Sequence, residues 1–167
     1  RISPRQDLDL SSLRLILSTG SVLTEEDFDY VYKSVKSDVQ LASISGGTDI
    51  VGCFALGNPL LPVYRGFLQS VSLGYDVQAY SDSGKSCLNQ KGELVCVAPF
   101  PSMPVGFWND FNNEKFKASY FSVYDNIWHH SDFIEITDVG AVKVYGRSDA
   151  TLNRGGVRIG SSEIYQV

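Results

Sequence analysis

The chain has 167 residues, 43% of them hydrophobic and 20% charged, an ordinary balance for one globular domain. Its net charge of −5 argues against a nucleic-acid surface, which needs a basic field, but leaves room for a nucleotide held by a few local arginines. Nothing approaches the roughly 18 continuous apolar residues of a membrane helix. The three cysteines, Cys53, Cys87 and Cys96, are odd in number and match no metal spacing. They predict reduced thiols in a cytoplasmic protein rather than a disulfide or a zinc site. The chain opens on Arg1 and closes within a predicted helix, so it reads as an internal piece of a longer protein.

Residues 1 to 12 are polar and contain Pro4, which predicts a connector. Leu13 to Leu17 is a short apolar run that reads as a buried strand. It ends in Ser18-Thr19-Gly20-Ser21, which lacks the Gly-Lys-Ser/Thr ending of a phosphate loop. Thr24 caps a predicted helix with Glu25, Glu26 and Asp27 in its first turn, where the helix dipole favours carboxylates. Phe28, Val31, Tyr32 and Val35 follow at helical spacing and predict one buried stripe; core packing outweighs any cofactor role for Tyr32. Val39 to Ile44 is the next strand, so residues 1 to 50 read as a parallel βαβ unit. Ser45-Gly46-Gly47-Thr48-Asp49 lies where open α/β sheets hold ligands, beyond a strand's carboxyl end. Its glycines admit a close ligand, Thr48 offers a hydroxyl to phosphate, and Asp49 is a hard oxygen ligand suited to Mg²⁺. A plain turn would give the same four letters.

Residues 51 to 146 change character. Val63 to Val71, Asp76 to Tyr80, Glu93 to Val97, Phe116 to Val123, Phe133 to Ile136 and Ala141 to Tyr145 are β-rich pieces separated by turn signals. No helical pattern is expected among them, which predicts a small β-barrel or sandwich. Phe107-Trp108-Asn109-Asp110 reads as a packing loop, since an aromatic nucleic-acid platform would need neighbouring Lys and Arg. In Trp128-His129-His130-Ser131-Asp132 the paired histidines invite a metal reading. Neighbours on a strand face opposite ways, so the two are poorly placed to share one ion.

The end of the chain reads as a strand leaving the sheet (Val142 to Val144), a turn containing Gly155, Gly156 and Gly160, and a helix capped by Ser161 or Ser162. Arg147 follows the strand, and Arg158 follows Gly155-Gly156. A guanidinium can grip phosphate or ribose oxygens bidentately, although an exposed surface charge is the usual fate of arginine.

Three motifs together carry a resemblance: Gly46-Gly47-Thr48-Asp49, then His130-Ser131-Asp132, then Gly146-Arg147-Ser148-Asp149 with Gly156-Val157-Arg158-Ile159 and Glu163-Ile164. In this order they resemble the acyl-adenylate-forming enzymes, a superfamily of acyl-CoA synthetases, luciferases and peptide-synthetase adenylation domains. The fuller string, with Leu152-Asn153 and Gly160 to Tyr165, is most similar to the acetoacetyl-CoA synthetases. The resemblance runs from about Leu13 to Val167. It implies an α/β fold: the end of an α/β sheet subdomain (1–50), a small β-barrel-like subdomain (51–146) and the hinge to a small C-terminal domain (147–167).

It also implies site roles. Gly20, Ser21 and Val22 line the adenine end of an ATP/AMP site. Gly47 and Thr48 meet phosphate, and Thr48 and Asp49 act in catalysis. Asp49 binds Mg²⁺, through a water if it falls short of the family's longer Glu. Asp132 binds ribose, with Arg147 and Arg158 on ribose or phosphate. Gly46 opens the acyl pocket where acetate-specific relatives carry a tryptophan, and Asp149 is the hinge. Ser131 stands where the family has Gly. Arg154 has no family counterpart and reads as surface. The implied reaction converts acetoacetate, ATP and coenzyme A to acetoacetyl-CoA, AMP and pyrophosphate. The family's glycine-rich phosphate loop and its catalytic lysine are not in this sequence, so this segment alone is expected to be inactive. Two alternatives stand beside this reading: an adenylate-forming ligase for another acid, and a non-catalytic β-rich binding module.

Overall fold

The computed structural model describes residues 2–149 and the backbone of 152–154 and 157–159. Strands β1 (Leu15–Ser18) and β2 (Gln40–Ser43) pair in parallel, with Leu15 opposite Gln40 and Ser18 opposite Ser43. Their crossover holds helix α2 (Glu25–Tyr30), which follows a single-turn helix α1 (Pro4–Asp7) in the segment expected to be a connector. Thr24 caps α2 as predicted: its hydroxyl accepts from the Asp27 N–H at 3.3 Å and donates to the Asp27 carboxylate at 2.9 Å. The expected stripe is only partly buried. Phe28 is fully buried, whereas Val31, Tyr32 and Val35 are half-buried. The helix widens into a π-turn over Val31–Val35, and the changed spacing swings these side chains off the Phe28 face. The first strand also differs from expectation. Leu15 and Leu17 remain 45% and 60% exposed, and among the described residues β2 is the one strand paired with β1.

Beyond β2 the chain turns into β3 (Ser45–Gly47), which forms a hairpin with β4 (Gly52–Leu56); β5 (Ser70–Val71) completes a three-stranded antiparallel sheet. A second, five-stranded antiparallel sheet has the order β10-β9-β8-β6-β7. Its strands are β6 (Val77–Tyr80), β7 (Ser86–Cys87), β8 (Lys91–Cys96), β9 (Trp128–Ile136) and β10 (Val142–Arg147). Leu68 links the two sheets by exchanging backbone hydrogen bonds of 2.7 and 2.9 Å with Val142 on β10. The strands thus form one curved wall around Ile50, Phe54, Leu94, Phe100, Trp128 and Ile134. The backbone of β11 (Leu152–Arg154) and β12 (Val157–Ile159) forms a further hairpin.

Two strand expectations fail. Only Ser70–Val71 of the predicted Val63 to Val71 strand is extended within a sheet, and the segment before it is looped. Gln69, buried at its end, gives its amide to the Asn58 and Leu61 carbonyls and accepts from the Asn58 N–H. Phe116 to Val123 is not a strand either: helix α3 spans Glu114–Tyr120. Asp110 caps it, accepting from the Lys115 and Phe116 N–H groups at 3.2 and 2.9 Å, which outweighs the local aromatic β-preference. Phe116 and Tyr120, four residues apart, then pack on Phe107 and Trp128. The predicted packing loop is therefore split: Phe107 packs, Asp110 caps, and Trp108 is 93% exposed.

Candidate active site

The loops after β1 and β2 leave the same end of the parallel pair, and β9 and β10 face them. Between them lies a cleft of about 1010 Å³. Gly20, Ser21 and Val22 form one side, Gly46, Gly47 and Thr48 another, and Asp132 and Arg147 a third. A second hollow of about 420 Å³ adjoins it and is lined by Asp49, Tyr120, His129 and Asp149. Gly46, Gly47, His130 and Arg147 border both. The sequence-predicted residues thus meet in one region, except Arg158, whose side chain lies outside the described residues.

Asp132 and Arg147 are direct partners in the β9–β10 ladder, which is why residues fifteen apart in sequence meet here. The guanidinium Nη1 is 3.9 Å from Asp132 Oδ1. It holds Asp149 with two contacts, Nε to Oδ1 at 3.2 Å and Nη2 to Oδ2 at 3.0 Å, and donates from Nη1 to the His130 carbonyl at 2.9 Å. Asp132 is only 8% exposed. Burial pushes its carboxyl up to about 6, with Asp149 and Glu93 adding to the rise, and the Arg147 cation only partly opposes this. His130 moves the other way, down to about 4, chiefly because burial disfavours its cation; Arg147 and His129 add to this and Asp49 opposes it.

The two histidines face opposite ways, as alternation along a strand requires. His129 Nε2 pairs with Glu93 at 3.1 Å, while His130 lies among Phe54, Trp128 and Gly47. Ser131, between His130 and Asp132, has φ +57°, and Ser148 N–H donates to its carbonyl at 2.8 Å. This left-handed backbone explains a glycine preference at the position. Ser131→Gly is expected to raise stability by up to about 1 kcal/mol, the left-handed strain relieved less the entropy glycine loses on folding. A urea midpoint that does not increase would count against strain here.

The glycines of β3 have different neighbours. A Cβ on Gly47 would overlap the Asp49 carboxylate and come within 3.0 Å of the His130 ring. A Cβ on Gly46 would overlap the Gly52 carbonyl oxygen and lie 2.6 Å from Cys53 Cα. Gly46 thus permits the close β3–β4 backbone pairing, and any side chain there requires the hairpin to shift.

Asp49 is restrained from α3: the Tyr120 hydroxyl donates to its Oδ2 at 2.5 Å, and the Tyr120 ring stacks on Trp128 at 3.7 Å. Tyr120 was not predicted as a site residue, because its segment reads as a strand. Burial and the neighbouring Asp49 charge push its phenol well above the ordinary tyrosine range. Among the described residues no group of three His, Cys, Asp or Glu is placed to hold a metal. Asp49 fits a Mg²⁺ that takes one carboxylate from the protein and its other ligands from phosphates and water.

No family model matches the chain. It is 59% identical over 163 residues to the acetoacetyl-coenzyme A synthetase of Rhizobium meliloti, covering 98% of this chain and 25% of that protein. It is 47% identical over 167 residues to the acetoacetyl-CoA synthetase of Gallus gallus, again spanning 25% of its length. The solved acetoacetyl-CoA synthetase from Streptomyces lividans superposes with a TM-score of 0.88 at 44% identity, over 98% of this chain and 26% of that one. An anthranilate CoA ligase, AuaEII, solved in complex with anthranoyl-AMP, shares the fold with a TM-score of 0.76 at 22% identity, over 93% of this chain and 28% of that one. By sequence and by fold, nearly the whole of this chain is similar to acetoacetyl-CoA synthetases, of whose length it spans about a quarter.

Proposed function

We propose that the protein carrying this segment is an ATP-dependent acid–thiol ligase that activates acetoacetate and passes it to coenzyme A. In the first step a carboxylate oxygen attacks the α-phosphorus of ATP and pyrophosphate leaves, giving an acyl-adenylate. In the second the thiolate of coenzyme A attacks the acyl carbon and AMP leaves. The observation that carries this reading is the convergence of the Gly47–Thr48 turn and the Asp132–Arg147 pair on one cleft large enough for a nucleotide. Asp132 accepts hydrogen bonds from the two ribose hydroxyls. Arg147 has donors beyond the three it uses within the protein and turns them to ribose or phosphate oxygens. Thr48 bonds a phosphate oxygen. Asp49 would hold Mg²⁺, which would supply positive charge against the phosphates. Gly20 to Val22 pack against the adenine. These groups position charge and stabilise it, and the reaction needs no protein nucleophile.

The proposed division runs 1–50, 51–146 and 147–167, with Asp149 as the hinge. The bidentate Arg147–Asp149 contact gives that hinge a second task, since any turn at Asp149 must carry or release the guanidinium. Free Cys53, Cys87 and Cys96 suit a reducing compartment such as the cytosol, and among the described residues no helix is long and apolar enough to cross a membrane.

Pyrophosphate exchange into ATP by the full-length protein tests the proposal. Exchange should require acetoacetate, and adding coenzyme A should release AMP. Exchange with a different acid alone would indicate another member of the superfamily. Failure to bind ATP would leave a binding module.

A further inference from the structure

One buried polar side chain between the two hollows has no part in the scheme so far. His130 is 8% exposed, and its ring is held on two sides. Trp128 lies nearly parallel at 6.2 Å, and Phe54 meets it edge-on at 4.6 Å. Trp128 Nε1–H donates to His130 Nδ1 at 3.3 Å. An indole N–H only donates, so Nδ1 carries no proton and the neutral ring has its proton on Nε2. The Cε1–Nε2 edge faces Gly47, where a Cβ would come within 3.0 and 3.2 Å of those two atoms. The Asp49 carboxylate shares the space above Gly47 with this edge, and His130 lines both hollows. Among the described residues, Nε2 has no hydrogen-bond partner.

We infer that the Nε2–H of His130 recognises the keto oxygen of a 3-oxo acid substrate, and so sets which acid is accepted. The inference rests on the ligase reading above and adds to it the source of acyl selectivity. The match is one of charge as well as direction. The substrate carboxylate must stay free to attack phosphorus, and the phosphates have Arg147 and the Thr48 hydroxyl. A neutral donor in an aromatic enclosure suits a neutral carbonyl acceptor. A saturated acid of equal length would fill the same space but leave Nε2–H buried without a partner. Sites built around such a donor reject the analogue that lacks the acceptor.

The test uses the full-length enzyme and the ratio of kcat/KM for acetoacetate to that for butanoate, measured by pyrophosphate exchange. The unaltered enzyme should favour acetoacetate by at least about tenfold. His130→Phe keeps a planar ring and removes the donor, so the ratio should collapse toward one. His130→Gln keeps a side-chain N–H and should give an intermediate ratio. Equal use of the two acids by the unaltered enzyme would overturn the inference, whatever the variants do. A ratio unchanged in His130→Gln and His130→Phe, with both acids slowed alike, would overturn it too and leave a packing role. If His130→Phe does not fold, the unaltered enzyme and His130→Gln decide by the same criteria. Exchange with neither acid in the unaltered enzyme would instead overturn the ligase reading itself.

Discussion

Arg147→Ala in the full-length protein should weaken ATP binding and slow adenylate formation by about ten- to hundredfold, the loss of one charge-assisted contact worth about 1.5–3 kcal/mol. The guanidinium ties together three groups of the site: the Asp149 carboxylate, the His130 carbonyl and, at 3.9 Å, Asp132. Removing it takes away the proposed nucleotide contact. It also removes the cation that opposes the rise of the Asp132 carboxyl, so more of Asp132 is protonated near neutrality. A protonated Asp132 accepts less well from ribose hydroxyls. Arg65→Ala is the comparison, because Arg65 is an exposed partner of Glu25 and Asp29 outside the cleft. Its loss should change exchange little. Equal, small effects of the two substitutions, with both proteins folded, would remove Arg147 from the site.

The second large effect concerns stability and pH. The Asp132 carboxyl is pushed up to about 6 and the His130 imidazole down to about 4. Each displacement is worth on the order of 3 kcal/mol. Asp132, with its folded pKa raised, favours the folded state fully below about pH 4, and that contribution is lost as pH rises through 6. His130, with its folded pKa lowered, favours the folded state fully above about pH 6.5, and that contribution is lost as pH falls through 4. In the unaltered protein the two run in opposite directions over the same window and largely offset. Asp132→Asn leaves the histidine alone, so stability relative to the unaltered protein should rise as pH increases from 4 to 6. His130→Gln leaves the aspartate alone, and its relative stability should fall over the same range. Urea midpoints across this window read both slopes. Two flat difference profiles would mean that neither group is held away from its ordinary titration.

Much of this was legible in the sequence, because it depended on local chemistry. Thr24 and the three acids after it marked the start of α2, and the alternating strand, helix and strand gave the parallel pair. The three motifs named residues from four separate loops and strands that the fold brings to one region. The misses have particular causes. Helix α3 was hidden because its cap, Asp110, precedes it by four residues and its aromatic content suggests a strand. Tyr120 was lost with it. That Gly46 lies against the backbone of Gly52 is likewise a fact of strand pairing that no local pattern carries. His130 could be placed on a face by alternation, but its tautomer depends on the Trp128 indole, and so on packing.

The Tyr120 hydroxyl and the Asp49 carboxylate lie 71 residues apart, and the Lys143–Glu25 contact beside the cleft spans 118. Contacts of such long reach give chain entropy no early return, so they form after the local hairpins of the five-stranded sheet. On a ribosome, the half of the site that holds Gly20 and Thr48 emerges well before Asp132 and Arg147. The order of synthesis thus leaves β1 and the β3–β4 hairpin waiting for the strands β9 and β10 that complete the cleft. During that interval the nascent chain is most open to pairing with a neighbour's strand edge.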